Sequence, residues 1–131
     1  MKTETQKIIE DLVGKQNINA YKTYQYRGIT SIFPEDYREF LNKYNGINGI
    51  IGENSYVQLW PFEDIVELNE DYESNEFLTG VVLIGSDGGE IAYGINQNGE
   101  YIETPFIGMS DEEIKVISNS FDGFIEYLYN I

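Results

Sequence analysis

The run Val81-Val82-Leu83-Ile84-Gly85 constrains the fold more than any other stretch of the chain. It is apolar on both faces, so as a strand it has to be central, with cover on each side. The residues after it set the topology. Ser86-Asp87-Gly88-Gly89 reads as a turn, and Glu90 to Ile95 as a strand with Ile91, Tyr93 and Ile95 on one face and Ala92 and Gly94 on the other. Asn98-Gly99 is a type I′ hairpin signal, because both central positions of that turn need positive φ. Tyr101 to Phe106 is then the return strand of an antiparallel meander.

The cover has to come from helices, and the 3.6-residue apolar period supplies them. Ile8, Ile9, Leu12 and Val13 share one face of a first helix, with capping-box spacing between Thr3 and Gln6 and Gly14 as a stop. Pro34 opens a second, along which Tyr37, Phe40, Leu41 and Tyr44 repeat before Asn45-Gly46 ends it. Tyr56 to Trp60 is a further strand, and Pro61 opens a third helix with Phe62, Ile65, Val66, Asn69 and Tyr72 on one side. Ser120 caps a last helix running to Asn130, faced by Phe121, Phe124, Ile125 and Leu128. Asn45 to Asn54 reads as a loop in which Ile50 and Ile51 are the candidate start of a strand. Ser110 to Glu113 has capping-box spacing, and Tyr21, Tyr24 and Tyr26 lie in a stretch without an assignable period. Clustered strands predict an α+β fold with a largely antiparallel sheet flanked by helices. A length of 131 residues predicts a single domain, residues 1–131.

Missing residue types exclude much chemistry. With no Cys and no His, the chain builds no disulfide, no Cys/His zinc site and no Ser-His-Asp or Cys-His nucleophile. Ile84-Gly85-Ser86-Asp87-Gly88 is not a nucleophile elbow, since Ile84 stands where that motif needs Gly. Gly85, Gly88 and Gly89 match no phosphate-loop spacing, and Asp87 and Glu90 oppose an anion, so turn glycines are the favoured reading. Only oxygen ligands remain for a metal, and Asn96 to Glu100 lacks the calcium-loop pattern, so no metal and no cofactor are expected. Carboxylate pairs suited to glycoside chemistry arise by chance in any acidic chain. No apolar run reaches the ~20 residues of a membrane span. Met1 to Gln6 has no signal-peptide core, and the expectation is a cytoplasmic protein.

The charge is large and lopsided. Asp and Glu number 23 against 8 Lys and Arg, a net of −15. Residues 1–65 hold 9 acids and 7 bases, whereas residues 66–131 hold 14 acids and the lone base Lys115. Such a field repels nucleic acid and anionic membranes and attracts basic proteins. It reads either as a solubilising surface or as a surface for a basic partner. On the third helix, Glu63 with Glu67 and Glu67 with Asp71 are like charges at i, i+4. Each such pair weakens a helix by a few tenths of a kcal/mol, a penalty solubility alone does not require. The candidate partner-binding residues are therefore Glu63, Glu67, Glu70, Asp71, Glu73 and Glu76, with Asp87 and Glu90 of the glycine turn. Trp60, the only Trp, is either core packing or an interface anchor beside them.

Four pieces of the chain carry a family likeness. Phe33-Pro34-Glu35-Asp36-Tyr37-Arg38-Glu39-Phe40-Leu41, with Asn45-Gly46 after it, resembles the LPxDYxxFLxxxNG helix of the SUKH superfamily. Leu59 to Ile65 is similar to its tryptophan-plus-helix segment, Ile84 to Gly94 to its glycine-rich hairpin, and Ser118 to Leu128 to its closing helix. The order and spacing of all four, over residues 33–131, carry the resemblance. Phe33 stands in place of the usual Leu, and Glu90 where a further Gly is common.

That superfamily includes Smi/Knr-like cell-wall assembly regulators and many bacterial immunity proteins. The resemblance implies a mixed sheet flanked by helices, no catalytic activity and no catalytic residues to carry over. For a short acidic domain it implies a bacterial immunity protein that neutralises a cognate polymorphic toxin, often a nuclease. A regulatory or scaffold module with a different partner is the alternative, and a carboxylate-only enzyme is the less favoured one. Physical chemistry agrees, because a strongly acidic protein can occupy a nuclease's basic surface and speed its own capture by steering.

Overall fold

A computed structural model of the chain describes residues 1–13 and 33–131. The sheet is built from β1 (Ile47–Ile51), β2 (Ser55–Leu59), β3 (Val82–Ser86), β4 (Ile91–Ile95), β5 (Tyr101–Pro105) and β6 (Lys115–Ser118). The six strands lie side by side in chain order. Every neighbouring pair is antiparallel. The fold is α+β as expected, but the mixed sheet implied by the family likeness is corrected. Each connection, including the helical one from β2 to β3, returns the chain to the adjacent edge in the opposite direction. Third in the row, β3 is buried along its whole length, as its two-sided apolar run requires.

One face of the sheet carries α1 (Thr3–Val13), α2 (Glu35–Tyr44) and α5 (Phe121–Asn130). Their shared core is aromatic: Tyr93 and Tyr101 pack on Phe124 at 5.3 and 5.0 Å, and Phe40 meets Phe121 at 4.8 Å. Ile102, Thr104 and Phe106 alternate to the other face, where Phe106 packs on Tyr72 at the end of α3 (Phe62–Asp71). A one-turn helix, α4 (Ser74–Phe77), follows.

The second helix acts as a hub, and this explains why its polar residues sit where they do. Asp36 accepts a hydrogen bond from the Phe121 N–H at 2.7 Å, serving the start of α5, and another from the Tyr101 hydroxyl at 2.9 Å. At the other end, Asn45 takes the left-handed conformation that closes α2, its N–H bonded to Leu41. Its side chain accepts the Phe62 N–H at 2.8 Å, serving one orphan donor at the start of α3, and donates to the Glu63 carboxylate at 3.0 Å. Gly46 has φ +92, and a Cβ there would lie 2.6 Å from the Leu59 carbonyl. Only glycine lets the chain pass the end of β2 at this distance.

Where β2 would continue along β3, the Trp60-Pro61 step turns it into α3 and leaves Leu83, paired with Gly94 of β4 on its other side, without a partner on the β2 side. Asn69, 5% exposed, fills the vacancy. Its Oδ1 accepts the Leu83 N–H at 2.8 Å and its Nδ2 donates to the Leu83 carbonyl at 2.9 Å, as a backbone peptide would. Ser74 donates to the same Oδ1 at 2.8 Å, and this locks the turn between α3 and α4.

Several local expectations are corrected. The loop expected from Asn45 to Asn54 contains β1 from Ile47, paired with β2 over five residues; Asn48 and Gly49 conceal a strand that pairing creates. The short edge strand β6 carries no period-two signal, since Val116 is half-exposed and Ile117 only partly buried. The β4–β5 turn is not type I′, because Gly99 has positive φ (75°) and Asn98 does not. Asn96 Oδ1 accepts the Asn98 and Glu100 N–H groups and imposes an Asx-type turn closed by a glycine bulge. Ser110 makes no cap bond and is followed only by a 3₁₀ turn, Asp111–Glu113. Thr3 lies inside α1, whose first backbone bond is accepted by Lys2. Gly14 and Tyr21, Tyr24 and Tyr26 lie outside the described residues. At α5 the expectation holds, with Ser120 Oγ accepting the Gly123 N–H at 3.1 Å.

Candidate protein-binding face

On α3, Glu63, Glu67, Glu70 and Asp71 follow at i, i+4, i+7 and i+8, so they share one stripe, directly opposite the buried Ile65 and Asn69. All four are exposed. Tyr72 ends the helix, and Glu73 holds a left-handed φ of 55° that joins α3 to α4. An acidic side chain at such a position carries a conformational cost of about 1 kcal/mol that Gly would avoid. Glu76 lies exposed on α4, and Glu90 lies exposed in the β3–β4 turn. Asp87 is half-buried, and its Oδ1 accepts the Gly89 and Ile91 N–H groups at 2.8 and 3.1 Å. The glycine turn is thus held by a carboxylate in the place where a phosphate cradle would need free N–H groups.

Trp60, Tyr72 and Phe106 form an aromatic row. Trp60 stacks on Tyr72 with ring centroids 6.1 Å apart and 12° between planes, and Tyr72 packs on Phe106 at 4.6 Å. The Phe106 N–H donates to the Glu90 carbonyl at 2.9 Å, so the Glu90 backbone adjoins one end of the row, while Asp71 and Glu73 are the chain neighbours of Tyr72. Trp60 itself is 7% exposed and belongs to the core. The side chain that reaches water in this row is Tyr72, at 42%. Ile107, which follows Phe106 in the chain, is at 92% the most exposed of the described large apolar side chains. Ile107 carries no periodic signal in the sequence; it is a lone apolar residue set beside Gly108 just past a strand.

Among the described residues the ion pair is Lys115 with Glu103, 3.8 Å apart on the α5 side of the sheet. Glu67, Glu70, Asp71, Glu73, Glu76 and Glu90 have no cationic partner there. Tyr127 donates to Glu103 at 2.7 Å and accepts from Lys115 at 3.3 Å. The bond to Glu103 raises the Tyr127 pKa, and the bond to Tyr127 raises that of Lys115. Both shifts hold protons on, the reverse of what a base or nucleophile needs. No three Asp or Glu side chains among the described residues are grouped to hold a metal.

A family model described as the SMI1 / KNR4 family (SUKH-1) matches residues 29–127. The chain belongs to this family. The SUKH-1 match takes in Asp36 and Asn45-Gly46, whose side chains and tight approach tie α2 to α3, β2 and α5. It also takes in every residue of the acidic face. No curated protein matches the chain. No helix among the described residues is long and apolar enough to cross a membrane.

Proposed function

We propose that this SUKH-1 chain is a non-catalytic immunity protein of the bacterial cytoplasm that neutralises a cognate protein toxin by covering it. Its partner is a toxin with a basic surface, a nuclease best of all, since nucleic-acid binding demands cationic side chains. The observation that carries the reading is the stripe Glu67, Glu70 and Asp71 on α3, exposed and without a cationic partner among the described residues. A basic surface relieves the repulsion along that stripe, so the penalty in the free protein becomes a gain in the complex. The left-handed Glu73 is a second local cost accepted on the same face.

The experiment is to express the adjacent reading frame with and without this chain. Restored growth, together with a stoichiometric complex of the two purified proteins, is the expected result. Continued killing without a complex, or hydrolytic turnover by the purified chain that one Glu→Gln substitution abolishes, would refute the proposal. A stable complex with a partner that is not a toxin would instead make the chain a Smi/Knr-like scaffold.

A further inference from the structure

An isoleucine side chain that is 92% exposed in a strongly acidic protein calls for an explanation. Scattered surface apolar residues need none, but Ile107 does not stand alone. It follows Phe106, whose ring packs on the 42%-exposed Tyr72. The loop that carries it is pinned on both sides. Before it, the Phe106 N–H is bonded to the Glu90 carbonyl. After it, Met109 is buried at 6%, and Asp111 accepts both the Thr79 N–H at 2.8 Å and the Thr79 hydroxyl at 2.7 Å. An apolar side chain held out on a fixed loop loses little freedom when it is covered, which is what an anchor requires.

We propose that Ile107, with the exposed edges of Tyr72 and Phe106, is the apolar anchor of the partner interface, seated in a non-polar hollow of a protein whose surrounding surface is basic. This rests on the immunity reading and assigns its hot spot, a role that the burial of Trp60 leaves vacant. The rim decides the occupant. Asp71 and Glu73 adjoin Tyr72 in the chain, and the Glu90 carbonyl accepts the Phe106 N–H, so acidic residues lie next to the apolar centre. A second copy of this chain would bring two such rims and two charges of −15 together. An anionic membrane is repelled for the same reason. A basic protein satisfies both the centre and the rim, with dry apolar contact inside and charge pairs around it.

The test measures binding of the inactivated cognate toxin identified by that co-expression, with polylysine as a probe that offers charge without an apolar surface. The variants are Ile107→Ser, Tyr72→Ala and the triple reversal of Glu67, Glu70 and Asp71 to Lys. Ile107→Ser is fully surface-borne, so its fold is checked by an unchanged urea midpoint. Expected are losses of about tenfold or more in toxin affinity for Ile107→Ser and Tyr72→Ala, seen in the off-rate, with polylysine binding unchanged. Wild-type affinity in both, alongside a weakened triple reversal, overturns the anchor and leaves the acidic face standing. Wild-type affinity in all three, or no toxin binding by the wild type, overturns both. Concentration-dependent dimerisation that Ile107→Ser abolishes also overturns the anchor, because the patch is then a contact between copies.

Discussion

Replacing Asn69 by Ala should be among the most damaging single changes in the chain. The substitution strips three buried groups of partners at once: the Leu83 N–H, the Leu83 carbonyl and the Ser74 hydroxyl, all now within 2.9 Å of the amide. A buried group left unsatisfied costs about 1–3 kcal/mol, and the Ser74 hydroxyl keeps only a long 3.4 Å contact to the Asn69 carbonyl. The sum is about 3–5 kcal/mol, a large part of the ~5–15 kcal/mol that holds an ordinary domain together. Urea denaturation monitored by the lone Trp60 gives the number directly. Asn69→Asp separates hydrogen bonding from packing. It keeps the acceptor, but it donates to the Leu83 carbonyl only when protonated, so its folded pKa must rise. The stability of this variant is then retained below the ordinary carboxyl range and lost as pH climbs from roughly 4 to 7. A loss under about 1 kcal/mol for Asn69→Ala, or an Asn69→Asp deficit that does not change with pH, would refute the ladder-substitute account.

Two further outcomes follow from the same geometry. Glu67→Lys turns both repulsive i, i+4 pairs of α3 into attractive ones, so it should raise stability by about 0.5–1 kcal/mol in a urea titration while slowing partner capture. Burial first, and then its bond to Asp36, hold the Tyr101 pKa far above the ordinary 10.0. The folded state keeps a proton that the unfolded chain gives up, so this contribution is complete below roughly pH 10 and fades above it. The urea midpoint should fall as pH rises above roughly 10, and fall less in Tyr101→Phe.

What the residues revealed in advance depended on whether local chemistry or tertiary pairing made the element. The run Val82 to Ile84, the aromatic stripe of α2 and the Ser120 cap are legible because each carries its own period or donor. The strands β1 and β6 are not, because Asn48-Gly49 and the half-exposed Val116 become strand only through their neighbours. The helical period puts Asn69 on the inward side of α3, but its pairing with Leu83, fourteen residues away, exists only once Pro61 has turned the chain. The acids of the candidate face stood out by charge alone. Ile107 did not, since a single exposed aliphatic has no pattern, and Trp60 drew attention that the fold transfers to its stacking partner Tyr72.

The central claim is that the α3 stripe, and not net charge in general, captures a basic partner. The most direct measurement is the association rate of the inactivated toxin domain at about 50 and 300 mM salt, where screening lengths differ more than twofold. It compares wild type with two triple reversals to Lys, one of Glu67, Glu70 and Asp71, the other of Glu4, Glu10 and Asp11 on α1. Both triples change the net charge equally. The account predicts fast, salt-sensitive capture by the wild type and the α1 triple, and slow, nearly salt-independent capture by the α3 triple. Equal rates for the two triples, or a wild-type rate that ignores salt, would contradict it and reduce the acidic stripe to a solvated surface.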